Sequence, residues 1–300
     1  MYEQIERNVW TSRLLLGLFV LLIVGLGYVL GRLYDLGYLG LVAAAVIATA
    51  GAWASYYYSD RIVLAISQAR EVTPEEHPFL HNTVEGLAIA AGLPKPRLYL
   101  IQDSAPNAFA TGRDPEHAVI VVTSGLLEKL SRLELEGVIA HEMAHIQHFD
   151  IRLSTLVVVL VGIVALVSDW FWRFGRVGGR GRSRDGGGGG GLFLALAFLL
   201  AIFAPIVAQL IRFAISRQRE YLADAGGAML TRYPEGLATA LEKLDADREP
   251  LEVANKATAH LYIVNPLKEW GGTLNGLFNT HPPIEERVRR LRGLVTGGVA

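Results

Sequence analysis

Four apolar stretches punctuate the chain. Residues 14–31 carry no charge between Arg13 and Arg32, and residues 36–59 carry none between Asp35 and Asp60. Each is long enough, as a helix rising about 1.5 Å per residue, to cross a hydrocarbon layer of about 30 Å. Trp53 and the run Tyr56, Tyr57, Tyr58 fall where an interfacial aromatic belt lies. The second stretch follows the first after a short polar gap, which predicts a transmembrane hairpin rather than a cleaved signal peptide. Residues 153–168 and 192–211 are also uncharged, the first short for a span and the second interrupted by Pro205. Between them run Arg176 to Asp185 and then the glycines 186–191. Such a composition has few packable side chains and predicts a flexible loop.

The polar blocks 61–150 and 217–300 are patterned to fold in water. Helices are predicted over 62–92 with a break near Pro74, and over 124–130, 131–150, 234–246 and 284–294. Short runs rich in Val, Ile, Leu and Tyr predict strands at 98–102 and 118–123. Ser131 and Glu134 have capping-box spacing at the start of the 131–150 helix. The expected architecture is a mostly α membrane protein, with transmembrane helices and an α-rich catalytic domain carrying a small β-sheet. Its divisions are an N-terminal hairpin (1–60), a first catalytic part (61–150), a second hydrophobic hairpin with the Gly/Arg-rich loop (151–216) and a second catalytic part (217–300).

Composition narrows the partners. The 300 residues are 51% hydrophobic and only 19% charged, below the roughly 25% charged of soluble domains. The formal net charge of −1 provides no basic field for nucleic acid. No cysteine is present, so a disulfide scaffold, a thiolate metal site and a cysteine nucleophile are excluded.

Candidate chemistry sits in the capped helix, at His141-Glu142-Met143-Ala144-His145. Positions i and i+4 stack on one helix face, so the two imidazoles can share one Zn²⁺. Glu142, beside the first histidine, reaches a metal-bound water rather than the metal and can take its proton. A catalytic zinc needs a third protein ligand and an open position. The candidate is Glu220, which follows the fourth apolar stretch as closely as the histidines precede the third; a solvated helix face is the other reading of that position. Asp224, one turn on, is placed to orient an imidazole, and Asp150 to support the zinc helix. His148 points partly away from the pair. His77, His81, His117 and His260 lack this context and read as structural or solvated.

These features, taken in order, resemble the HtpX-like membrane zinc metallopeptidases over nearly the whole chain. The resemblance rests on the N-terminal hairpin, the 141–145 motif, the late hydrophobic pair and Ser216-Arg217-Gln218-Arg219-Glu220-Tyr221-Leu222-Ala223-Asp224. Pro106 to Gly112 and Thr280-His281-Pro282-Pro283 match two further family segments. The resemblance implies a gluzincin-type catalytic domain, one zinc per chain on His141, His145 and Glu220, and Glu142 as general base and acid. It implies endoproteolysis of membrane or misfolded proteins, as quality control, in a prokaryotic cytoplasmic membrane. The six-glycine run departs from the family pattern. Within the matching segments, Asn107 to Gly112 read either as an edge strand that receives an extended substrate, with Asn107, Ala108 and Phe109 as its contacts, or as a polar turn. His281 reads either as a helix-start residue or as a contact to the zinc or the transition state.

If all four stretches span, eight membrane-proximal arginines lie on the catalytic face and six on the other. This favours a cytoplasmic catalytic domain only weakly, and the resemblance favours the same side. Two alternatives remain at this level. One is an intramembrane zinc protease, against which Glu134, Glu136, Gln147, His148 and Asp150 place the motif near water. The other is a non-enzymatic metal-binding membrane scaffold.

Overall fold

A computed structural model of the chain describes residues 2–33, 37–163, 216–255, 257–267 and 281–296. The end of the third apolar stretch, the Gly/Arg-rich loop and the fourth stretch lie outside the described residues. Helices α1 (Tyr2–Leu33) and α2 (Gly37–Ile66) form the N-terminal pair. Within them Ile5–Gly25 and Gly37–Ile66 are long and apolar enough to cross a membrane. Leu14, Leu18, Leu21, Val42, Val46 and Ile47 are exposed, a surface that water disfavours and lipid accepts. One face of α1 is buried instead, along Asn8, Ser12, Leu15 and Phe19. These positions recur at helical spacing.

After α2 the chain forms β1 (Arg70–Glu71), α3 (Pro78–Ala91), β2 (Arg97–Ile101), β3 (Ala108–Thr111) and β4 (Val119–Thr123). The strand order is β1-β2-β4-β3, with β2 parallel to β4 and the other pairs antiparallel. β1 and the turn after it replace the middle of the helix predicted over 62–92. The break is therefore longer than Pro74 alone would make it. β4 is buried on both faces, which explains its uninterrupted Val119-Ile120-Val121-Val122 run. Ile120 and Val122 pack with α3 residues such as Leu80 and Val84. Val119 and Val121 pack on the other side with Val63, Phe109 and Tyr262.

Helix α4 (Ser124–Lys129) leads into α5 (Arg132–Gln147). The start of α5 is fixed as its sequence requires: the Ser131 amide donates to Glu134 Oε2 at 2.7 Å. The chain then turns by 83° into α6 (Asp150–Ile163). Phe149 adopts the left-handed region in that turn, at φ 59°. α6 is the described part of the third apolar stretch, and its side chains meet protein. Leu153, Val157 and Leu160 pack against Leu15 and Phe19 of α1, and Val158 joins the core beneath the sheet. Helices α7 (Arg217–Thr231), α8 (Pro234–Ala246) and α9 (Ile284–Thr296) complete the layer over α5. The protein is mostly helical, with a small mixed sheet, as expected.

Glycine permits a close contact between α7 and α5. A Cβ added at Gly227 of α7 would lie 2.9 Å from the His141 amide nitrogen. The obstacle is backbone and cannot rotate away. Gly227→Ala is expected to force α7 off α5, costing about 1–3 kcal/mol despite alanine's better helix propensity. Thermal denaturation checks this, with an unchanged midpoint as the contrary result.

Candidate active site

α5 carries His141 and His145 one turn apart, with their Nε2 atoms 3.1 Å from each other. Each Nδ1 is held by a carboxylate. His141 Nδ1 lies 3.0 Å from Asp224 Oδ1 on α7. His145 Nδ1 lies 3.0 Å from Asp150 Oδ2 at the start of α6. A carboxylate at Nδ1 fixes the proton there and leaves the Nε2 lone pair free. Two such lone pairs aimed together require positive charge between them, a shared proton or a cation.

Glu220, on the first turn of α7, supplies the third group. Its Oε1 is 3.7 Å from His145 Nε2 and its Oε2 is 3.9 Å from His141 Nε2. Oε2 is buried and makes no hydrogen bond. One ligand atom from each of His141, His145 and Glu220 falls within 4.8 Å of the others. This donor set suits a divalent metal bound at about 2.0–2.2 Å. Asp224 and Asp150 are the orienting carboxylates such a centre needs.

Glu142 points into the same cleft, which encloses about 500 Å³ including space open to solvent. Burial raises its pKa to about 7, and the neighbouring Glu220 charge adds to this. Burial opposes ionisation of Glu220 too, but His281, His145 and Arg287 outweigh it and hold that carboxyl well below the usual range. Burial lowers His141 to about 4. It would lower His145 as well, but Asp150 and Glu220 reverse the sign and raise that group to about 9.

Two buried groups at the site escape a sequence reading. Arg287 of α9 is fully buried and grips Asp224 with two hydrogen bonds, Nε to Oδ2 at 2.9 Å and Nη2 to Oδ1 at 2.7 Å. Its Nη1 donates to the Ile263 carbonyl oxygen at 3.0 Å and stands 3.7 Å from Glu220 Oε2. The available signal was position: Arg287 shares a helical stripe with Ile284, Val288 and Leu291. A charge on an inward stripe must find a partner. Asn8 of α1 donates to Asp150 Oδ1 at 2.7 Å, and nothing in a membrane-helix pattern singles it out.

His141, Glu142, His145, Glu220, Asp224 and His281 thus converge. His281 Nδ1 sits 3.0 Å from Glu220 Oε2, yet neither of its ring nitrogens meets hydrogen-bond geometry. Asn107, Ala108 and Phe109 do not reach the cleft. β3 is an edge strand, but its outer side is already taken at Ala108, whose carbonyl oxygen accepts the Ile263 amide at 3.0 Å. The Asn107 side chain donates to the Val264 carbonyl oxygen at 3.1 Å, and Phe109 packs edge-on to Tyr262 in the core. Ala110 is the β3 residue that lines the cleft.

Comparison with known proteins gives the family. The model of peptidase family M48 matches residues 74–295. The chain is 48% identical to the "Protease HtpX homolog" of Dictyoglomus thermophilum, covering 97% of this chain and 94% of that one. It is 45% identical to the protein of the same description from Caldanaerobacter subterraneus subsp. tengcongensis, covering 98% of each. Among solved structures it is similar to the crystal structure of S. mikatae Ste24p, at 21% identity and a TM-score of 0.44, covering 92% of this chain and 62% of that chain. With a family match over most of its length and relatives of this identity, the chain belongs to peptidase family M48 and is a membrane metalloprotease.

Proposed function

We propose that this protein is a zinc-dependent endopeptidase that cuts membrane or misfolded proteins beside the bilayer as quality control, and that its catalytic domain faces the cytoplasm. One observation carries the reading: two inward Nε2 atoms 3.1 Å apart, each backed by a carboxylate, beside a buried Glu220 oxygen that makes no hydrogen bond. His141, His145 and Glu220 would hold the ion, one per chain. Zinc so bound supplies Lewis acidity, acidifying a water and polarising the scissile carbonyl.

The chain's own groups do the rest. The Ala110 edge of β3 is the place for an extended substrate to pair with the backbone. Glu142 takes a proton as the water oxygen bonds to the carbonyl carbon. It returns that proton to the amide nitrogen as the C–N bond breaks, giving a carboxylic acid and an amine, which then ionise to carboxylate and ammonium. His281 faces the same space and is placed to donate to the carbonyl oxygen as charge develops. Asp224 and Asp150 keep both imidazoles oriented. The proximity of Asn8 to Asp150 sets this chemistry at the level where α1 enters its apolar span, which suits substrates presented at a membrane surface.

The test is metal content and casein cleavage measured on the same detergent-purified samples. Wild type is expected to hold one zinc and to cleave. His141→Ala is expected to lose both. Full zinc occupancy in His141→Ala would remove His141 from the ligand set.

A further inference from the structure

The N-terminal membrane helix reaches into the proposed metal centre through a single amide. Asn8 is 2% exposed, although it lies within the 5–25 segment that is long and apolar enough to cross a membrane. Its Nδ2 has two protons to donate, and both are used. One goes to Asp150 Oδ1 at 2.7 Å and the other to the His148 carbonyl oxygen at 3.0 Å. Both partners are acceptors, so the amide nitrogen, not its oxygen, must face them. The oxygen is turned the other way, where Arg219 Nη1 approaches to 3.5 Å.

The two acceptors matter because of where they lie. His148 ends the helix that carries His141 and His145, and its carbonyl has no partner further along that helix. Asp150 begins the next helix, and its other oxygen holds His145 Nδ1 at 3.0 Å. Asn8 therefore ties together the 83° turn between the two helices and fixes the carboxylate that aims His145. Below it on the same face of α1, Leu15 and Phe19 pack on Leu153, Val157 and Leu160. The polar contact and the apolar contact are separate, so they can be tested separately.

We infer that Asn8 is a positioning residue for the metal centre: through Asp150 it sets the orientation of His145, so that the first membrane helix is part of the metal site and not only an anchor. The inference rests on the metal-binding reading above. Partners behind a metal-ligating histidine are worth about 10–100-fold in metal affinity or activity. Asn8 stands one bond further out, so the low end of that range is expected.

The experiment is zinc affinity by chelator competition on full-length protein in detergent, with the Co²⁺ absorption spectrum of the same variants as a second readout. Asn8→Leu, close in size but without a donor, is expected to weaken zinc about tenfold and to shift the Co²⁺ bands; Asn8→Ala should do the same if leucine perturbs packing. In an Asp150→Asn background the Asn8 change should add little, because the path is already cut. Leu15→Ala, which loosens the apolar contact alone, should leave zinc affinity within about twofold. Unchanged affinity and spectrum in both Asn8 variants would overturn the inference. So would full additivity with Asp150→Asn, or an equal loss in Leu15→Ala. Failure of the wild type itself to bind zinc would instead defeat the metal-centre reading.

Discussion

Glu142→Gln is expected to lower casein cleavage by roughly 10³-fold while leaving bound zinc unchanged. The magnitude follows from what a positioned general base contributes, about 10²–10⁴-fold. The selectivity follows from geometry. His141, His145 and Glu220 supply the three converging ligand atoms, and Glu142 is outside that set. Gln keeps the size of Glu and one oxygen acceptor, so the Ala110 amide that faces this carboxylate retains a partner. What disappears is the ability to take a proton from water and return it to the leaving nitrogen. Rate and metal content must be measured on one preparation. Loss of zinc together with activity would move Glu142 into the ligand set, and retained activity would remove it from the chemistry.

Arg287→Met is expected to produce the largest loss of stability among single changes at the site. Arg287 is fully buried between Asp224 and Glu220. Methionine fills part of the space but leaves both carboxylates facing the interior without their guanidinium. Breaking a buried pair from one side costs about 3–5 kcal/mol, a large share of the roughly 5–15 kcal/mol that holds a protein folded. A drop of about 10 °C in the thermal midpoint is the expected reading. Arg287→Lys should recover only part of it, because an ammonium cannot form the two-pronged contact. The control lies on the same helix. Arg292 pairs with Glu235 and Glu242 at 2.7 Å and 2.8 Å, but all three are exposed. Water and salt screen such pairs, so Arg292→Met should cost less than about 1 kcal/mol. Equal losses in the two methionine variants would mean that burial is not the source of the Arg287 effect.

Both predictions concern one short stretch of three-dimensional space, yet the two residues differ in how visible they were. Glu142 was legible because its neighbours are local. A helix puts positions four apart on one face whatever surrounds it, so His141 and His145 announce a shared ligand and Glu142 a shared water. Glu220 was legible in a weaker sense, because chain order around the late apolar pair suggests that its two ends return to the same place. The membrane helices were legible because length and hydropathy are properties of a segment alone.

The rest was decided in three dimensions. The stripe of Ile284, Val288 and Leu291 turns Arg287 inward, but only packing shows that Asp224 and Glu220 meet it there, while Arg292 stays in water. Residues 107–112 read as a substrate edge, with 107–109 as its contacts, within a segment that resembles the family's. Only the return of the chain at 262–264 shows that this edge is already paired, leaving Ala110 beside the cleft. The third apolar stretch has the composition of a membrane span, but its described part packs on α1 and the sheet, since hydrophobicity states that a face must be covered and not by what. Asn8 reaches Asp150 because α1 docks there, a contact across 142 residues of sequence. The sequence by itself determined the candidate ligands, the candidate base and the helices long and apolar enough to span, because helical periodicity and segment hydropathy are local properties. The tertiary structure alone decided which polar groups orient those ligands, because burial and pairing depend on distant segments meeting.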